Sequence, residues 1–287
     1  MDFENKIMDL KLNYSDPFIK SITKRIVALD IETSLVTAKV FSTGNQYIQA
    51  KQLSDQTRLL TVAYASVYDM EHSGKKAVKC LSNRHSANFK KDPHDDTELL
   101  RGIWKVLDKA EVIIAHNAQF DRGWMHGRFL ELGWPLPSRY FVFCTYQNLR
   151  PFKLTSKKLD ELSKTLVGSA KLHTDFDLWV RCSRGEIAAF KEMEEYNRTD
   201  VYDTLFKVWK RTAYYNPIKA IDFTNYDSDK ILCRVDGQPV VEDGIYFNRK
   251  NQKTYIQYKN LRSGQIYVDK YNTRSKLAGT GIIKPKV

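Results

Sequence analysis

Proline and glycine are scarce in this chain, at 8 and 13 of 287 residues. That excludes collagen-like and low-complexity architectures. Cysteine is scarcer still. The four, Cys80, Cys144, Cys182 and Cys233, lie far apart, with no C-x-x-C pair and no histidine at metal-ligand spacing. A zinc ribbon or disulfide scaffold is therefore not expected, and a reducing, cytoplasmic setting fits. No apolar run approaches the ~20 residues that a membrane-spanning helix needs. The opening stretch, MDFENKIMDLKLNY, carries charges every few residues and lacks the apolar core of a signal peptide. Acids are also in short supply: 34 Asp and Glu face 46 Lys and Arg, a net charge of +12. A surplus of that size points to an anionic partner, either nucleic acid or an acidic membrane surface.

What is present is an apolar fraction of 42% and an aromatic fraction of 12%, too rich for a disordered chain. The length suits one medium domain and one small one. The charge is unevenly spread. Residues 245–287 hold ten basic residues and one acid, Asp269, a net +9 of the total +12. We therefore expect a larger body over 1–216 and a small, basic, β-rich domain over 217–287, with Asn216-Pro217 as the boundary signal.

Hydrophobic patterning gives the body its class. Strands are expected at Arg25–Thr33, Arg58–Tyr68, Lys76–Leu81, Glu111–Ala115 and near Tyr140–Cys144. Helices are expected at Thr97–Ala110, with Asp95 or Asp96 as the cap, at Ala118–Leu132, and at about 157–167 and 185–215. A meander followed by alternating helices and strands is an α/β sheet with helices on its faces.

Three polar clusters interrupt this pattern. Asp30-Ile31-Glu32 ends an apolar strand, and carboxylates two apart on a strand share a face. Unpaired buried carboxylates cost several kcal/mol, and a divalent cation would compensate them. Other D-x-E copies occur, and those at Asp2 and Asp69 sit at a terminus and a turn and read as solvated surface. HNAQFDRG, with Asn117 and Asp121, follows the buried strand VIIA, where α/β sheets place their sites. A plain reading has Asn117 capping the next helix and Asp121 favouring its dipole. Tyr196 and Asp200 form the chain's one Y-x-x-x-D and share a helix face at i, i+4. His116 and His94 read as packing and capping residues rather than ligands.

The joint order of D-x-E, N-x-x-F-D and Y-x-x-x-D resembles the DEDDy group of 3′–5′ exonucleases, in the DnaQ-like, ribonuclease H-like superfamily. AHNAQFDRG and YNRTDVYDTLFKVW are similar to segments of the proofreading domains of family A DNA polymerases. LTSKKLDELSKTLVGSAK resembles the stretch between their second and third motifs, and Val40–Leu60 resembles free-standing bacteriophage exonucleases. The sister DEDDh group has a histidine five residues before the last Asp, where this chain has Glu195. The likeness covers about residues 20–215.

That resemblance implies a ribonuclease H-like mixed sheet flanked by helices. It implies a metal-dependent 3′–5′ exonuclease releasing nucleoside 5′-monophosphates from single-stranded ends, with DNA preferred to RNA. It implies two Mg²⁺ or Mn²⁺ ions held by Asp30, Glu32, Asp121 and Asp200. Asp30 would bridge the ions, and Tyr196 would orient the attacking water. The backbone near Ile31 and Thr33, the Leu35 side chain and Asn117 would touch the substrate strand. A separate DNA polymerase is a candidate partner, and a phage origin would put the protein in the host cytoplasm. Ribonuclease D-like action on RNA, a ribonuclease H-type endonuclease and a non-catalytic nucleic-acid-binding accessory remain alternatives.

In the tail, Tyr246, Phe247, Tyr255, Tyr258, Tyr267 and Tyr271 interleave with basic residues including Arg249, Lys250 and Lys253. Cations bind phosphates and aromatic faces stack bases. The pattern loosely resembles the three-stranded DNA-binding sheet of AP2 and integrase-type domains.

Overall fold

The computed structural model of the protein describes residues 9–169, 174–215, 218, 230–276, 278–279 and 283–285. The described elements run α1 (Pro17–Thr23), β1 (Ile26–Thr33), β2 (Leu59–Ser66), α2 (Val67–Ser73), β3 (Lys79–Ser82), α3 (Thr97–Lys109), β4 (Val112–Ala115), α4 (Gln119–Glu131), β5 (Phe141–Cys144), α5 (Thr145–Asn148), α6 (Leu159–Val167), α7 (Phe176–Ser183), α8 (Ile187–Thr199), α9 (Lys207–Thr212), β6 (Val240–Asn248), β7 (Lys253–Asn260), β8 (Ile266–Asp269) and β9 (Ile283–Pro285). A π-helical segment, Asp200–Phe206, joins α8 to α9.

The chain divides into two compact units, Thr23–Val208 and the combination of Met1–Ile22 with Trp209–Val287. This differs from a simple cut at residue 216. The leading segment belongs with the C-terminal unit because its backbone and charges are used there. Leu10 donates its amide to the Lys210 carbonyl at 2.9 Å, and Asn13 donates to the Asp236 carbonyl at 3.1 Å. Arg211 pairs with Asp9 at 2.9 Å. The Asn216-Pro217 signal itself lies outside the described residues.

The larger unit is α/β. Its five-stranded mixed sheet has the order β3-β2-β1-β4-β5. β1, β2 and β3 pair antiparallel, whereas β4 and β5 run parallel to β1. β1 is the middle strand, and its alternation sorts its side chains. Val27, Leu29 and Ile31 join the core with Leu99, Leu100, Ile103 and Leu107 of α3 and Met125 and Phe129 of α4. Ala28, Asp30 and Glu32 point to the other face, where their β2 partners are Ala65, Ala63 and Thr61. Small residues there leave room for α8, whose Asn197 takes a hydrogen bond from Thr61 at 3.2 Å.

Asp96 departs from its expected capping role. It is fully buried and makes no side-chain cap bond to α3. Instead it receives Arg128 of α4 through two hydrogen bonds of 3.0 and 2.8 Å, and the Leu59 amide at 3.1 Å. Asp95 takes the local role, accepting from the Thr97 amide at 3.1 Å. The helix α2 was not legible in the sequence, because YDMEHS lacks a sustained apolar stripe. Ser66 caps it, accepting from the Asp69 amide at 3.0 Å.

In the other unit, β6, β7 and β8 form an antiparallel sheet with the short β9 on its edge. Buried Asp236 accepts from Tyr214 at 2.8 Å and Asn260 at 3.0 Å, which satisfies a charge that would otherwise be costly inside. Among the described residues, no helix is long and apolar enough to cross a membrane.

Candidate metal centre

Asp30, Glu32 and Asp200 each offer a carboxylate oxygen, and these oxygens lie within 4.8 Å of one another. Two come from adjacent same-face positions on β1 and the third from the first residue of the π segment. Residues 170 apart in the sequence thus meet because α8 lies over the alanine-rich face of β1 and β2. A β-bulge follows Glu32: Glu32 pairs with Thr61 and Thr33 with Leu59, so Leu60 has no partner on β1. Bulges re-aim neighbouring side chains. Here the bulge frees Leu60 to pack, fully buried, with Phe190, Met193 and Tyr196.

Asp121 sits in the first turn of α4 and is buried. It is not among the three oxygens above, yet it is tied to the same strand. Its carboxylate accepts from the Ile31 amide. That amide is available because the β1–β4 ladder ends at Ala28–Ile114. Burial pushes the Asp121 carboxyl up to about 7, against its own amide and that of Ile31, which pull it down. The folded state therefore binds a proton more tightly than an unfolded Asp of pKa about 3.9. Stability of the metal-free protein should be highest below about pH 4 on this group's account and fall as pH rises towards about 7. Asp121→Asn should remove that slope and raise the denaturation midpoint at pH 8. A midpoint at pH 8 lower than that of the wild type would contradict this.

Tyr196 is buried and packs edge-on against Trp179, with ring centroids 5.9 Å apart. Asp200 is likewise buried. Glu195, at the position that would hold the DEDDh histidine, is committed to a salt bridge with Lys75 at 2.6 Å. Lys75 also donates to Thr199 at 2.7 Å, so the helix bearing Tyr196 and Asp200 is pinned from its outer side.

One important residue escaped the sequence reading. Asn197 is fully buried and donates from Nδ2 to Asp30 Oδ2 at 2.6 Å. Its Oδ1 accepts from Thr61, which fixes the amide's orientation. Asn197 is thus a positioning residue for Asp30. The available signal was a polar residue on the sheet-facing side of α8, directly after Tyr196. Cys80 also lies near this cluster, but burial first, then Glu194, Asp30 and Glu32, push its thiol up to about 12 against the opposing pull of Arg198. It is not a nucleophile near neutral pH.

The expected substrate contacts divide. Asn117 is exposed, with φ of 60°, a left-handed conformation that Asn tolerates better than most residues. It does not cap α4, whose cap position is Ala118. Thr33 and Leu35 are half-buried. The Ile31 side chain is buried and its amide is taken by Asp121, so this backbone group is not open to a nucleotide. Arg249, Lys250 and Lys253 are exposed at and beside the β6–β7 turn. Tyr255 must be corrected: its ring is buried and its hydroxyl accepts from Asn251 at 2.8 Å, so no face is offered to a base. Tyr258 and Tyr267, cross-strand partners on β7 and β8, are buried too. His116 and His94 are held by Thr145 Oγ1 at 2.8 Å and the Ser183 carbonyl at 2.9 Å, in keeping with structural roles.

An all-oxygen donor set of three clustered carboxylates fits a hard divalent cation such as Mg²⁺ or Mn²⁺, not a soft one. No protein-family model and no curated protein matches the sequence.

Proposed function

We propose that the protein is a divalent-metal-dependent 3′–5′ exonuclease acting on single-stranded DNA ends, on a ribonuclease H-like core. The observation that carries this reading is the gathering of Asp30, Glu32 and Asp200, with Asp121 bound to the intervening Ile31 amide, at the end of the central strand. The sheet order 3-2-1-4-5, with an antiparallel meander followed by parallel strands, supports the fold assignment. The net charge of +12 supports a polyanionic substrate.

On this reading Asp30, Glu32, Asp121 and Asp200 would hold the two cations. Bound there, such cations would make water a better nucleophile at neutral pH and relieve charge at the phosphorus. The chain's own residues do the rest. Asn197 donates to one Asp30 oxygen and so fixes the orientation of that carboxylate. Tyr196, one helical turn before Asp200, orients the attacking water. Its packing against Trp179 limits the ring's motion. Exposed Asn117 touches the strand next to the scissile bond.

Tyr196→Phe should therefore reduce the rate by roughly 10²-fold while leaving measurable hydrolysis, in line with the removal of one orienting group. A rate equal to that of the wild type would remove Tyr196 from the reaction. The direct test of the function is a time course on 5′-labelled single-stranded DNA with Mg²⁺, Mn²⁺ or EDTA. Stepwise shortening that requires metal supports the proposal. Internal cuts on circular DNA, or no cleavage with either metal, would overturn it. A matched RNA strand in the same assay reports the sugar preference.

A further inference from the structure

The larger unit has a second concave feature, on the α3 face of the sheet near the start of β1. It is a cleft of about 750 Å³. Its walls carry Lys24 and Arg25 before β1, Lys79 of β3, and Lys105 and Lys109 of α3. Asp69 is its single acid, and that carboxylate already accepts from Ser66 Oγ at 2.7 Å. Arg25 is paired with Glu111 at 2.6 Å. Lys79, Lys105 and Lys109, by contrast, form no salt bridge among the described residues. Cations gathered from separate elements create a positive local potential.

The floor is different in kind. Val27, Tyr64, Val106 and Ala110 form an apolar slot, and Tyr64 is only half-exposed. Gly102 sets the depth. A Cβ there would meet Leu81 Cδ1 at 2.8 Å, so its absence lets α3 lie close to β3. The side chains of Val27 and Asp30 point to opposite faces of β1, so this cleft is separate from the carboxylate cluster.

We propose that the cleft is a second binding site, for a phosphate-bearing nucleotide unit. The base lies against the apolar floor, and the phosphate lies among Lys79, Lys105 and Lys109. A flat apolar slot beneath a cationic rim matches the two halves of such a ligand, whereas a bare anion would use the rim alone. The unit is either a free nucleotide or one residue of a bound strand; the chemistry is shared. The proposal is independent of hydrolysis, because its test is run without metal.

The experiment is calorimetric titration of the full chain in EDTA and low salt with ADP, inorganic pyrophosphate and a short 5′-phosphorylated oligothymidylate. ADP should bind more tightly than pyrophosphate. The exposed pair Lys79→Glu and Lys105→Glu should weaken ADP binding by at least about tenfold, as the loss of charge-assisted hydrogen bonds implies. Val106→Trp, which fills the slot without changing charge, should weaken ADP more than pyrophosphate. Asp30→Ala should leave ADP binding unchanged. Tighter binding of the oligonucleotide than of ADP, lost in the charge-reversed variant, assigns the site to a strand; the reverse order assigns it to a free nucleotide. Unchanged ADP binding in the charge-reversed variant, equal binding of pyrophosphate and ADP, or no ADP binding by the wild type would each overturn the proposal. A protein that binds ADP in EDTA but cleaves no strand with metal would retain this site and lose the proposed function.

Discussion

Asp30→Ala is expected to abolish metal-dependent strand cleavage while leaving the protein folded. Asp30 takes part in the three-carboxylate cluster and also accepts from Asn197 at 2.6 Å. Metal ions contribute several kcal/mol of transition-state stabilisation in such centres. At about 1.4 kcal/mol per tenfold, losing a shared ligand should reduce the single-turnover rate by about 10³-fold or more. Manganese binding, followed by electron paramagnetic resonance, should weaken in parallel. Stability should change little or rise in the metal-free state, because removing one carboxylate relieves repulsion among three. A variant with wild-type single-turnover rates would remove Asp30 from the centre. Asn197→Ala offers a graded companion. It should lower the rate less than Asp30→Ala does, because the ligand remains but its orientation is no longer fixed.

The second large effect concerns stability. Arg128→Ala should destabilise the larger unit by about 3–5 kcal/mol, the usual cost of leaving one member of a buried ion pair unpartnered. The Arg128 and Asp96 side chains are only 7% and 1% exposed. Asp96 also accepts the Leu59 amide, so the pair ties β2, α3 and α4 together. For a unit of this size the loss corresponds to a melting decrease of about 6–20 °C. The double change Arg128→Met with Asp96→Asn should recover much of it, since no uncompensated charge remains and the Leu59 amide keeps an acceptor. Urea denaturation of the single and double variants gives the coupling directly. A loss below about 1 kcal/mol for Arg128→Ala would show that the Asp96 carboxylate finds water or another cation.

The five strands of the larger unit were legible because each is a short apolar run bounded by polar or helix-capping residues. Asp30 and Glu32 stood out for the opposite reason: they break such a run. Asp200 was legible through its i, i+4 relation to Tyr196. Other features depend on long-range packing and left little local trace. The pairing of Asp96 with Arg128 looked like a helix cap, since an Asp before an apolar helical stripe is the ordinary capping pattern. Asn197 was hidden because no local rule says which sheet residue a helix side chain will meet. The Tyr255 ring gives no local sign of its burial, because β7 buries side chains on both faces, Tyr255 and Tyr258 being three apart. The union of the leading segment with the C-terminal unit depends on the Leu10–Lys210 and Asn13–Asp236 backbone bonds, which connect residues about 200 apart.

The π-helical stretch after Thr199 has a consequence for how the chain can vary. A wide turn accommodates one residue more than a regular α-helical turn, and each residue of an α-helix advances by about 100°. Removing one residue between Val201 and Phe206 would restore ordinary pitch but rotate one side of the join against the other. Either Asp200 would swing away from β1, or Val208 would leave its packing against Leu149 and Leu162. Natural variants of this chain should thus tolerate substitutions in this stretch far better than changes in its length.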